Sequence, residues 1–160
     1  RHMLYLIPAP AHRRLLRVAH AVRRRWWRWR QPALRGCRVL AFDAQDRVLL
    51  IRHSYGSGKW MPPGGGLGRR ESAIAGALRE LREETSCVLE DAREVAVIEE
   101  RLHGAGNLVH VIAGRTASDP CVDRREVIEA CFFALDALPD FMPDQLHDEL
   151  DDWVRAWRGS

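Results

Sequence analysis

The stretch Gly65 to Cys87, GGLGRRESAIAGALRELREETSC, reads as a glycine loop running into a helix. Glu80, Glu83 and Glu84 stand at i, i+3 and i+4, so a 3.6-residue repeat puts all three carboxylates on one helix face. Ile74, Leu78 and Leu81 fall on a neighbouring arc, which the pattern predicts to pack on a core. Ala73, Gly76 and Ala77 lie on the carboxylate side one turn earlier, where small residues allow another backbone or a substrate to come close. Gly76 inside a helix costs about 0.5–1 kcal/mol relative to Ala, so its position calls for such a reason.

Three carboxylates on one face repel one another. A charge run of this kind is ordinarily a solvated surface. Beside a glycine loop and an apolar stripe, its natural partner is instead a hard divalent cation. Mg²⁺ takes oxygen ligands and often bridges carboxylates to substrate phosphates.

Gly65, Glu71, then Arg79-Glu80-Leu81-x-Glu83-Glu84, with Trp60 and Pro63-Gly64 ahead of them, resemble the box of the Nudix hydrolases. The resemblance implies an α/β/α sandwich around a mixed β-sheet. It implies metal binding, as Mg²⁺ or Mn²⁺, by Glu80, Glu83, Glu84 and the Gly65 carbonyl. Glu83, Arg79 and Glu80 would be the catalytic group, with Arg79 orienting Glu83 or its neighbours. Glu71, at the start of the helix, would support the loop and suit the positive end of the helix dipole. The reaction implied is hydrolysis of the pyrophosphate linkage of a nucleoside diphosphate joined to another moiety. The general base is a box glutamate, Glu126 or Glu129. The rival reading is a catalytically silent Nudix fold that binds a nucleotide or docks on a partner.

Two positions depart from the family pattern. Ser86 stands where a glycine usually ends the helix in the left-handed conformation, which predicts strain on the order of 1 kcal/mol. Pro62 stiffens the lead-in and removes a backbone donor. The downstream tyrosine or proline that marks relatives acting on diadenosine polyphosphates or ADP-ribose is replaced by Gly104 and His103, and no substrate is selected.

The chain has 160 residues, enough for one domain with a proper core. Its net charge is +3, of which eight arginines between residues 11 and 30 supply +8, so the remainder carries −5. Leu15, Val18, Val22, Trp26 and Trp29 recur there at helical spacing. Residues 1–32 are therefore read as a basic amphipathic N-terminal helix and residues 33–160 as the hydrolase domain. The helix could dock on the domain, form a homodimer interface, lie on an anionic membrane surface, or stack its tryptophans on nucleic acid. No apolar run reaches the roughly 20 residues that span a bilayer. Cys37, Cys87, Cys121 and Cys131 form no CxxC pair, which predicts buried or half-buried thiols in a reducing, cytoplasmic setting.

Strands are expected over Gly36–Phe42, over Arg47–Arg52, over Val95–Leu102 and Leu108–Ile112, and over Val127–Leu135 with Cys131-Phe132-Phe133 buried. Val48-Leu49-Leu50-Ile51 is a continuous apolar run that fits a strand covered on both faces. Arg52 would leave that strand near the glycine loop, to meet a substrate phosphate or simply solvent. Leu146, Leu150, Trp153, Val154 and Trp157 give a last helix a core-facing stripe. His53, His103 and His110 have no partner at ligand spacing and are read as structural or surface residues.

Overall fold

The computed structural model describes residues 34–102 and 105–159. The predicted N-terminal helix and His103 and Gly104 lie outside the described residues. Among the described residues, six strands and two helices follow in chain order: β1 (Leu34–Phe42), β2 (Val48–His53), β3 (Gly64–Gly66), α1 (Ala73–Thr85), β4 (Glu90–Leu102), β5 (Ala105–Arg115), β6 (Val127–Phe133) and α2 (Leu146–Gly159). They form one mixed sheet in the order β4-β5-β1-β2-β6, with β3 paired to β1. Strand β1 runs parallel to β5, from Leu34 opposite Asn107 to Phe42 opposite Arg115. The other pairings are antiparallel.

Side chains of a strand alternate between faces. On β1, Val39 and Ala41 turn to one side and pack with Leu49, Ile112 and the α1 residues Ala77 and Leu81. Leu40 and Phe42 turn to the other and pack with Val48, Leu50 and the α2 residues Leu150, Trp153 and Trp157. Val48 through Ile51 are fully buried, as a strand covered on both faces requires. Helix α2 seats its whole stripe: Leu146, Leu150, Trp153, Val154 and Trp157 are all buried. Arg38 ties three elements together, contacting Glu100 of β4 at 2.6 Å and Glu149 of α2 at 3.4 Å while its guanidinium lies over the Trp153 ring.

Helix α1 packs differently from expectation. Ile74 and Leu78 are 41% and 39% exposed. The buried residues are Gly76, Ala77, Leu81 and Thr85. At about 100° per residue, Glu80 and Glu84 fall between Gly76 and Leu81 around the helix, so the carboxylate side is the buried side. The small residues let the helix sit close: a Cβ on Gly76 would meet Leu67 Cδ2 at 2.1 Å. Ser72 caps the start, accepting the Ala75 N–H at 3.2 Å. The end is at Ser86, left-handed at φ 63° as the family's glycine position implied, with its N–H on the Arg82 carbonyl.

The thiols also divide. Cys37 and Cys87 are buried, whereas Cys121 and Cys131 are exposed. Cys131 sits on β6, an edge strand that alternates between half-buried and exposed from Ile128 to Cys131, so in the expected buried Cys131-Phe132-Phe133 run Cys131 is exposed while Phe132 and Phe133 are half-buried against the cores. Among the described residues no helix is long and apolar enough to cross a membrane.

Candidate active site

The glycine loop is held against β1 rather than left as a plain turn. Gly64, Gly65 and Gly66 pair with Arg38, Cys37 and Gly36. The Pro63 carbonyl accepts the Val39 N–H at 2.8 Å, and the Arg35 carbonyl accepts the Leu67 N–H at 2.9 Å. Gly64 has φ 154°, and a Cβ there would lie 2.1 Å from the Cys37 carbonyl oxygen. A Cβ on Gly65 would lie 2.5 Å from Glu80 Oε1. The loop backbone and the helix carboxylates are therefore in direct contact.

Arg79 organises the carboxylates. Its Nε and Nη2 donate to the two oxygens of Glu71 at 2.8 and 3.0 Å. Nη1 donates to Glu80 Oε1 at 2.8 Å and to Glu83 Oε2 at 3.2 Å, and Nη2 also reaches the Gly66 carbonyl at 3.1 Å. A guanidinium has five N–H donors, and these contacts use all five. The shorter bonds go to Glu71 and Glu80 rather than to Glu83. Glu71 precedes the Ser72 cap, so the first turn of α1 holds no acid. Its carboxylate instead accepts the Gly68 N–H at 2.9 Å, and Arg79 with this N–H holds its pKa down at about 2.

Glu84 is the most enclosed of the three box carboxylates, its side chain 10% exposed. Oε2 accepts the Gly64 N–H at 2.9 Å, and Oε1 lies 3.5 Å from His53 Nε2. Burial pushes its pKa up to about 8; the Gly64 N–H opposes this, and the charges of Glu80, Glu126 and Glu83 add to it. Burial also raises Glu80, against the pull of Arg79. Glu83 is the most exposed of the three, at 59%. Glu80, Glu83 and Glu84 open on a cleft of about 230 Å³ that is also lined by Gly64, Gly65, Gly66, Tyr55, Asp123, Glu126 and Val127.

A buried carboxylate with raised proton affinity, crowded by further acids, fits a hard dication, which would offset the repulsion and takes oxygen donors. In the present arrangement no three His, Cys, Asp or Glu side chains among the described residues converge as a ready-made coordination shell. Glu80 and Glu83 both turn to Arg79.

A model of the NUDIX domain matches residues 32–157. The chain belongs to the Nudix family. Solved structures of similar fold include a MutT NUDIX hydrolase from Burkholderia pseudomallei, 24% identical, covering 76% of this chain and 98% of that one, with a TM-score of 0.66. A MutT protein from Methanosarcina mazei Go1 is 26% identical over 80% of this chain and 95% of that one, with a TM-score of 0.64. An ADP-ribose pyrophosphatase from Streptococcus suis 89-1591 is 22% identical over 79% and 93%, with a TM-score of 0.62. No curated protein matches the chain.

The other sequence candidates of this Nudix domain separate in space. Glu126 lines the cleft, whereas Glu129 pairs with Arg52 at 2.7 Å. Arg52 also donates to the Gly58 carbonyl at 2.9 Å and lies over the Trp60 ring, outside the cleft lining. The sequence reading gives His53 only a structural or surface role and assigns none to Tyr55 and Asp123, which line the cleft or its rim. His53 follows Leu49 and Ile51 at strand period, which turns it to the α1 face and against Glu84. Its ring also meets Tyr55, centroids 4.8 Å apart. The period-2 pattern held that signal for His53. Tyr55 and Asp123 come from loops and carry no comparable one.

Proposed function

We propose that the chain is a divalent-metal-dependent pyrophosphohydrolase acting on a nucleoside diphosphate linked to another moiety. The observation that carries this reading is the burial of Glu84 and Glu80 against the Gly64–Gly66 backbone at the floor of an acidic cleft. Glu80, Glu83, Glu84 and the Gly65 carbonyl would hold Mg²⁺ or Mn²⁺. Bound there, such a cation offsets pyrophosphate charge and lowers the pKa of an attacking water.

The chain's own groups supply the rest. Arg79 holds Glu80 and Glu71 in fixed rotamers by charge-assisted bonds and so keeps the glycine loop closed on the helix. The Gly64 N–H fixes one Glu84 oxygen and leaves the other toward His53. Glu126, across the cleft from the box, is better placed than Glu129 to take a proton from water, because Glu129 is committed to Arg52. A surface so acidic admits a polyphosphate only with its charge offset, which is the physical argument for a cation over a metal-free binder.

The test is a panel of nucleoside diphosphate derivatives with Mg²⁺ or Mn²⁺, read as phosphate released by a coupled phosphatase. Turnover of at least one member that stops on chelation is the expected result. No turnover across the panel, together with no calorimetric binding of Mn²⁺, would leave a silent nucleotide binder.

A further inference from the structure

Apart from its carboxylates and the Gly64–Gly66 backbone, the cleft is lined by two uncharged side chains, Tyr55 and Val127. Both belong to the end of the β2–β6 pair. Val127 stands opposite His53 in the register. Ser54, between His53 and Tyr55, donates its N–H to the Glu126 carbonyl at 2.8 Å and its Oγ–H to the Arg125 carbonyl at 2.7 Å.

Arg52 and His53 grip the loop of Tyr55 from opposite faces of the sheet. His53 turns to the α1 face, 3.5 Å from Glu84, and its ring meets the Tyr55 ring at 4.8 Å between centroids and 33° between planes. Arg52 turns to the α2 face, where its guanidinium lies over Trp60, which packs on the α2-side core. From there its Nε donates to the Gly58 carbonyl at 2.9 Å and its Nη1 to Glu129 at 2.7 Å. Among the described residues, the other hydrogen-bond tie of Gly56–Gly58 is local, from the Lys59 N–H to Ser57 Oγ at 3.3 Å. Gly56 and Gly58 have φ 73° and 66°, and a Cβ on either would meet nothing within 4 Å. Conformation, not crowding, therefore calls for glycine at both. Arg52 and Glu129 are 32% and 52% exposed, and pairs so exposed contribute little to stability. What the pair does is fix Gly58, and with it the loop that carries Tyr55.

A nucleotide asks for two kinds of surface. Its phosphates carry the charge that a cation would bridge to the box. Its base presents a flat, uncharged π face one ribose away. Carboxylates offer that face nothing, whereas an aromatic ring stacks on any base. Glu84, His53 and Tyr55 are in successive contact, so the ring stands beside the carboxylate floor. Resting on the reading of this cleft as a nucleotide pyrophosphohydrolase site, we propose that Tyr55 stacks on the nucleobase of the substrate, with Val127 beside it. Arg52 is the positioning residue that holds Tyr55 in place through Gly58.

Calorimetry on the full chain with Mn²⁺ separates this ring from the carboxylates beside it. The two probes are α,β-methylene-ADP, which carries a base, and methylenediphosphonate, which has the same bridged phosphorus groups and no ring. Tyr55→Leu and Arg52→Met should each weaken α,β-methylene-ADP by about ten-fold and leave methylenediphosphonate within about two-fold. Tyr55→Phe, which puts the ring back, should recover the affinity that Tyr55→Leu loses. Tyr55→Leu combined with Arg52→Met should bind no more weakly than Tyr55→Leu alone, because both changes act through one ring. Tyr55→Leu with unchanged affinity for α,β-methylene-ADP, or with equal losses for the two probes, would overturn the stacking role and leave the pyrophosphate reading standing. Additive losses in the double variant would overturn the positioning role of Arg52. Binding of neither probe to the wild type would sink the pyrophosphohydrolase reading itself, and the assignment of Tyr55 with it.

Discussion

The two helices on opposite faces of the sheet are packed by opposite means. Helix α2 buries Leu146, Leu150, Trp153, Val154 and Trp157, and its acids at Asp148, Asp151 and Asp152 face away. Helix α1 buries Gly76, Ala77, Leu81 and Thr85, leaves Ile74 and Leu78 exposed, and keeps Glu80 and Glu84 on its inner side. Burying carboxylates is unfavourable even where a guanidinium and a backbone N–H partly offset it, as Arg79 does for Glu80 and the Gly64 N–H for Glu84. A helix that turns these inward while larger apolar residues stay outside has been shaped by what the carboxylates do. Changes on α2 should therefore act on stability, and changes on the inner side of α1 on chemistry.

The largest expected effect is on α1. Glu83→Gln keeps the shape and removes the charge, and turnover should fall on the order of 10²–10⁴, the range for single groups acting on charge or protons. The melting temperature should hold or rise, because one member of a repelling cluster is gone. Glu126→Gln, measured beside it, separates box from loop. If Glu126→Gln alone is inactive and Glu83→Gln turns over at the wild-type rate, the box is scaffold and the division between the helices fails.

The counterpart on α2 is Trp153→Ala. Trp153 is 4% exposed, belongs to the same core cluster as Leu40 and Phe42, and lies beneath the Arg38 guanidinium. Truncation should cost about 3–5 kcal/mol in denaturant unfolding, while kcat per folded molecule stays unchanged below the new transition. A drop in kcat at full folding would show that α2 reaches the cleft.

His53→Gln sharpens the comparison from the sheet. His53 meets Glu84 at 3.5 Å from the α1 face of β2. Groups that orient a metal ligand typically contribute 10–100-fold to affinity. Mn²⁺ affinity by calorimetry should fall by about ten-fold, with the stability change small. Unchanged Mn²⁺ affinity would make His53 a packing residue only.

What was legible in the sequence follows from how local each cause is. The glutamate spacing, the α2 stripe and the apolar run of β2 are set by periodicity within a few residues, and the strands and helices they predict are present. The inner face of α1 was misread because Ile74, Leu78 and Leu81 form an equally good apolar arc; what chose the other side was Leu67 and the Gly64–Gly66 strand, which meet the helix through tertiary contact. The β4 strand starts at Glu90, five residues before Val95, because its charged residues Glu90, Asp91, Arg93 and Glu94 hid an edge strand with a solvated side. Cys131 fails for the same reason on the opposite edge. The separation of Glu126 from Glu129 depends on a strand partner, Arg52, that lies far away in sequence.

The smallest effect belongs at the seam where α1 ends. Ser86 holds φ 63°, and a residue with a Cβ in that conformation is strained by about 1 kcal/mol. Its Oγ recovers part of this by donating to the Cys121 carbonyl at 3.2 Å, at an exposed position where such a bond contributes little. The Cys121 N–H bonds the Thr85 carbonyl at 2.8 Å whatever residue 86 is. Ser86→Gly removes the strain, loses the weak bond and frees the unfolded chain, which costs about 0.5–1 kcal/mol. The terms nearly cancel, and the melting temperature should move by less than about 2 °C, with turnover unchanged. A fall of more than about 5 °C would mean that the Ser86 hydroxyl anchors the segment from Cys121 to Asp123, whose Asp123 lines the cleft. The end of α1 would then serve the site, not only the fold.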